Sequence, residues 1–241
     1  FHFFIRKMLE PVETAQKKQT QFIASASHEL RTPLAVVRSG LESVEKCSNK
    51  EERNHFLHLM SEETIHMKRL IDDMLLLANS DADTLTIKPE ACQPDLLLLD
   101  IYEKFEPLAK KNGIHLILTL PEEILPDCFC DIHRTEQIFS IIVDNALCYT
   151  PSGGKVTLSC HARNEMLCFL FEDTGCGISE EKKSHIFERF YRADDAHTDR
   201  EHFGLGLCIA KELTEKQKGN IQVVDAPISG SCFIVQLPCA L

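Results

Sequence analysis

The sequence predicts an α+β chain in two parts. The first is an antiparallel two-helix hairpin, able to form a four-helix bundle as a dimer; the second is an α/β two-layer sandwich. Three observations carry this prediction. Apolar residues recur at helical spacing over 12–46, where Gly40 is the one glycine, and again over 51–79. Near Ser80 the texture becomes polar, in SDADTLTIKPEACQPD with its two prolines. Beyond that boundary helical and strand-like segments alternate.

In the first part Ile23, Ala26, Leu30, Leu34, Val37, Leu41 and Val44 form a heptad seam with one irregularity beside Pro33. Pro11 suits the first turn of this helix. After the break CSNK, Ser48 and Glu51 fit a capping box. Phe56, Met60, Glu63, Met67, Leu70, Met74 and Leu77 then continue a second seam. So short a connection makes the helices antiparallel neighbours, and a hairpin cannot bury such a stripe alone. Homodimerisation follows as the expectation.

In the second part Leu96–Ala109 reads as a helix, and 114–120 and 128–131 read as strands. A buried helix is expected over 134–150, and paired strands over 155–162 and 165–173. Residues 192–203, RADDAHTDREHF, have the composition of a mobile loop. A helix follows over 204–217, and NIQVVDA and SCFIVQLP close the chain as a hairpin. The expected organisation is 1–10 as a juxtamembrane piece, 11–80 as the helical domain and 82–241 as the layered domain.

Composition narrows the function. A net charge of −11, without a run of Lys and Arg, argues against nucleic acid as a partner. The eleven cysteines are odd in number and the chain is not small. Cys128 and Cys130 lack a zinc-finger spacing, so most cysteines read as small buried hydrophobes of a reducing cytosol. FHFFI fits either a frayed terminus or the cytoplasmic end of a transmembrane helix, and Arg6 and Lys7 favour the second. His55 and His58 lack the partners of a metal pair.

On a helix of about 100° per residue, His28 falls about 180° from the centre set by Ala26 and Leu30. It projects outward, with Thr32 one turn on and the carboxylate of Glu29 beside it. A neutral imidazole is a competent nucleophile, and a neighbouring carboxylate can take its other ring proton. The motif SHELRTPL around it resembles the phosphoacceptor box of bacterial two-component sensor histidine kinases. That resemblance implies a bend at Pro33 that matters in signalling.

Four further pieces follow in order. VDNALCYTP ends a helix with Asn145 and Tyr149 one turn apart. DTGCGI follows an apolar strand, FERFYR supplies aromatic residues, and GLGL opens a helix whose free amides suit phosphate. No P-loop is present. These pieces resemble the boxes of the histidine-kinase ATP-binding domain, of the gyrase/MutL-like ATPase superfamily, so the resemblance covers about residues 12–238.

It implies ATP and Mg²⁺ as cofactors. Asn145 would hold Mg²⁺ and Asp173 the adenine amine, with Tyr149, Gly175 and Gly177 shaping that end. Gly204, Leu205, Gly206 and Leu207 would lie by the phosphates, and Arg189 or Arg192 would reach the γ-phosphate. His28 would be phosphorylated with Glu29 as base. The group would pass to a response regulator, and Thr32 would serve the reverse phosphatase reaction. The chain would be the cytoplasmic portion of a membrane protein. The sequence departs from the family pattern in three places: Ile141 replaces an Asn, Cys148 a Lys or Arg, and the pair Glu201–His202 extra glycines. They motivate one alternative, a catalytically weak scaffold that dephosphorylates the regulator. Ile141 also cannot activate water, which favours transfer over hydrolysis.

Overall fold

A computed structural model describes residues 2–47, 49–192 and 203–240, with side chains of the first helix at 16 and from 19 onward. The described residues form two compact units, one up to Leu75 and the other over 76–192 and from Gly204 on. Among them no helix is long and apolar enough to cross a membrane.

The first unit consists of α1 (His2–Lys46) and most of α2 (Lys50–Asp81). Helix α1 begins nine residues before Pro11, which is therefore not in its first turn. It also runs without a break through Pro33, where a proline costs roughly 3 kcal/mol. Asn49 starts α2, its side-chain oxygen accepting the Glu51 amide at 2.9 Å. The capping expected of Ser48 lies outside the described residues.

The apolar seam of α1 divides into two edges. Ala26, Pro33 and Gly40, spaced by seven, are buried, and a Cβ at Gly40 would meet the Met60 side chain at 2.7 Å. That small-residue edge is where α1 approaches α2. Ile23, Leu34 and Leu41 are instead more than half exposed. On α2, Met60 and Leu70 are buried, while Leu57, Ile65 and Leu75 stand out in solvent.

The second unit contains β1 (Glu90–Cys92), α3 (Pro94–Lys111), β2 (His115–Thr119), β3 (Cys128–Cys130) and α4 (Ile132–Tyr149). It continues through β4 (Lys155–Arg163), β5 (Met166–Asp173), α5 (Glu180–Lys183), α6 (Gly206–Lys216), β6 (Asn220–Asp225) and β7 (Ser231–Pro238). Five strands form one sheet in the order β2-β4-β5-β7-β6, with β2 parallel to β4 and the other pairs antiparallel. Strands β1 and β3 form a separate antiparallel pair. The β4–β5 turn uses Asn164 and Glu165 at positive φ, the conformation a two-residue hairpin requires.

Helix α4 lies between α3 and α6 and packs on the sheet. Phe139 stacks at 4.8 Å from Phe169 and 5.0 Å from Phe171, centroid to centroid, which fastens α4 to the central strand. A buried polar network ties the start of α4 to the end of α6. Asp131 caps α4 through the Arg134 amide and accepts the Lys88 amide at 2.9 Å. Gln217, at the end of α6, accepts the Asp131 amide at 2.7 Å and donates to the Leu213 carbonyl.

Candidate active site

The site is built along one face of α4. Ile141, Asn145 and Tyr149 follow at i, i+4 and i+8, so they line one stripe about 12 Å long. At one end a Cβ on Gly206 would meet the Ile141 side chain at 3.1 Å, which puts the start of α6 against this stripe. At the other end a Cβ on Gly175 would come within 2.5 Å of the Tyr149 carbonyl oxygen. The two glycine-rich segments are thus held at opposite ends of one helix face, with Asn145 between them. The Asn145 amide donates to the Ile141 carbonyl at 3.0 Å. Its carbonyl oxygen makes no hydrogen bond among the described residues, which suits a ligand for a hard cation.

Asp173 occupies an inward position of β5, in phase with Leu167, Phe169 and Phe171. A carboxylate thus sits where the pattern would place an apolar residue. Burial pushes its carboxyl above the usual range, and the Gly175 and Ser231 amides pull it partly back. The Gly175 amide donates to Asp173 Oδ1 at 2.8 Å. Gly230 is a further member that the sequence reading missed. At φ +90°, a Cβ there would overlap the Asp173 carbonyl oxygen and approach Oδ1 to 2.6 Å. Gly177, at φ +73°, faces the Gly230 carbonyl. The signal lay in PISGS, a turn between two strands, which carries no motif of its own.

Gly204 holds the chain ahead of α6 against the FERFYR segment. Its carbonyl accepts the Phe190 amide at 2.9 Å, and a Cβ there would press on the Phe190 and Tyr191 backbone. Leu205 precedes α6 without a side-chain cap, and the amides of Gly206 and Leu207 in the first turn have no partner within the helix. Arg189, expected at a γ-phosphate, forms a two-pronged ion pair with Asp81 at 2.8 and 2.6 Å. Arg192 is exposed, and Glu201 and His202 lie outside the described residues, as does most of the expected mobile loop.

In the other unit His28 is exposed on α1, with Thr32 exposed one turn on and Glu29 half-buried. Neither the His28 nor the Glu29 side chain has a hydrogen bond or ion pair among the described residues. Pro33 has no amide to offer the Glu29 carbonyl four residues back, so that carbonyl too is uncommitted by the helix.

A helical phospho-acceptor hairpin joined to a nucleotide-binding α/β layer is the class that this fold and site define. Residues 18–83 match the His Kinase A (phospho-acceptor) domain family. Residues 130–241 match the family of histidine kinase-, DNA gyrase B- and HSP90-like ATPases. The sensor histidine kinase RppB of Synechocystis sp. is 33% identical over 234 residues, covering 95% of this chain and 51% of RppB. WalK of Bacillus subtilis is 34% identical over 233 residues, covering 94% of this chain and 38% of WalK. The chain therefore spans about half or less of these relatives' length. Among solved structures, full-length ShkA in complex with AMPPNP is similar at a TM-score of 0.70 and 28% identity, over 92% of this chain and 46% of ShkA. The histidine kinase AdeS of Acinetobacter baumannii shares the fold at a TM-score of 0.72 and 22% identity, over 89% of this chain and 98% of AdeS.

The chain belongs to the two-component sensor histidine kinases and carries their phospho-acceptor and ATPase domains.

Proposed function

We propose that this chain is the catalytic core of a sensor histidine kinase that moves the γ-phosphoryl group of ATP to His28 and then to an aspartate of a response regulator. The observation that carries the reading is the α4 stripe, which sets the uncommitted Asn145 oxygen between two glycine-rich segments. Asp173 accepts the adenine amine, and the close approach allowed by Gly175 and Gly177 shapes the base-binding wall beside Tyr149. The amides from Gly204 to Leu207 receive the phosphates. Asn145 would hold Mg²⁺, which when bound neutralises phosphate charge. Arg192, or Arg189 once released from Asp81, would reach the γ-phosphate.

The Nε2 lone pair of His28 forms a bond to the γ-phosphorus as the bond to the β–γ bridging oxygen breaks. The bonding electrons leave with ADP. The proton on Nδ1, made acidic by the new bond, passes to Glu29. Catalysis is then chiefly positioning and charge stabilisation. In the reverse mode Thr32 orients water toward the phosphorylated regulator. The exposed leucines of α1 support a homodimer through the hairpin, and Arg6 and Lys7 support a juxtamembrane placement of residues 1–10. The departures at Ile141, Cys148 and Glu201–His202 are all that speaks for the scaffold alternative, and the similarity to sensor histidine kinases does not favour it.

Incubation with γ-labelled ATP tests the proposal. An acid-labile, base-stable label is expected on the intact chain. In His28→Gln that label is lost completely while nucleotide binding stays intact. A label that persists in His28→Gln, or a wild-type chain that binds ATP without labelling, overturns it.

A further inference from the structure

The β1–β3 pair gathers three cysteines that the phosphotransfer chemistry does not use. Cys92 lies directly opposite Cys128 in the antiparallel register, and Cys130 lies opposite Glu90. Cross-strand partners share a face, and residues two apart on one strand share a face. All three thiols therefore project to the same side of this small ladder. Their sulfurs lie within 4.8 Å of one another, and the Cys92 and Cys130 sulfurs are 3.4 Å apart. None is in a disulfide. Cys128 and Cys130 are fully buried, and Cys92 is half-buried, leaving one side open to an entering ion.

We propose that Cys92, Cys128 and Cys130 form a binding site for a thiophilic d¹⁰ cation, Zn²⁺ or Cu⁺. The donor set is all sulfur, which disfavours hard cations such as Mg²⁺ and Ca²⁺. At a metal–sulfur distance of about 2.3 Å, ligating sulfurs stand ~3.8 Å apart in tetrahedral geometry. The cluster reaches that spacing by side-chain adjustment, with no rearrangement of the strands. A disulfide would consume two thiols and strand the third buried beside it, whereas a metal employs all three. Each thiol still protonated releases its proton to solvent on ligation.

The two sequence positions explain why the site escapes a motif search. Its ligands come from Cys92 and, beyond helix α3 and strand β2, from a pair with one residue between them. Strand β3 runs straight into Asp131, the cap of α4, so a bound ion would clip β1 to the start of the helix that carries Asn145.

The test uses the whole reduced chain, free of air. Co²⁺ is expected to give a thiolate-to-metal charge-transfer absorption that saturates at one equivalent, and Zn²⁺ or Cu⁺ should bleach it. Bleaching by either ion supports the site, and the one effective at lower concentration is its preferred metal. Zn²⁺ should also raise the melting temperature of the second unit in a concentration-dependent way. Cys92→Ser, at the half-buried position, and Cys130→Ser should weaken Co²⁺ binding at least tenfold. Cys160→Ser, buried in β4 outside the cluster, should leave it unchanged. Far-ultraviolet circular dichroism confirms that Cys92→Ser remains folded. No charge-transfer band in the folded wild type, the same band in folded Cys92→Ser, or a Cys92–Cys130 disulfide formed under these reducing conditions would overturn the proposal.

Discussion

The two units bury their apolar side chains by different means. In the second unit Phe139, Phe169 and Phe171 are sealed between helix and sheet within one chain. In the hairpin Ile23, Leu34, Leu41, Ile65 and Leu75 remain about half exposed or more, although their spacing is as regular as that of any core. The contrast teaches that regular apolar spacing marks a surface to be covered without saying by what. A helix pair has one inner edge, here made of Ala26, Pro33 and Gly40, and under the proposed homodimer anything wider faces a second copy.

The largest expected effect breaks the contrast at the hairpin. Replacing Leu34 and Leu41 together by Glu should cost self-association about 3–6 kcal/mol, two buried leucines' worth. Sedimentation should then show a monomer, while nucleotide affinity of the second unit is unchanged. Next is Gly230→Ala, which forces a side chain onto the Asp173 carbonyl at φ +90°. It should destabilise the second unit by about 2–3 kcal/mol. Calorimetric titration should also show ATP affinity falling at least tenfold, with the hairpin's self-association intact.

Gln217→Ala is a milder break of the same unit. It leaves the buried Asp131 amide without its acceptor, at about 1–2 kcal/mol in urea denaturation.

The smallest effect sharpens the hairpin side. Burial, followed by the charge of Asp72, pushes Asp73 up to about 6 from an ordinary 3.8. The folded state therefore holds its proton more tightly than the unfolded one. Stability should fall as pH rises through the window from 3.8 to about 6, with the penalty fully present at pH 7. Because Asp73 is partly exposed, screening limits this to about 1 kcal/mol or less. Asp73→Asn should flatten the hairpin's urea midpoint across the pH window from 3.8 to about 6.

Legibility in the sequence followed the range of each interaction. The helices of the hairpin and the strands β4, β5 and β7 declared themselves because their periodicity is local. Asn145 and Asp173 were named through the resemblance of VDNALCYTP and DTGCGI to family boxes, since no local periodicity singles them out. The division of the α1 seam was not legible, since its inner edge is Ala, Pro and Gly, which a search for large apolar side chains passes over. Strand β1 has three residues in a polar stretch and acquires its pairing from β3, far along the chain. The partner of Arg189 is 108 residues away, and nothing near FERFYR announces Asp81. Gly230 was hidden for the same reason: what forbids a side chain there is a strand end more than fifty positions earlier in the chain.

Helix α4 also acts as a ruler. Its stripe separates the two glycine segments by a count of helical residues, so the length of the gap is written in covalent geometry and does not depend on loop conformation. Lengthening a loop elsewhere would leave that gauge untouched. One residue inserted between Ile141 and Tyr149 would turn one end against the other by about 100° and leave no loop able to restore the match.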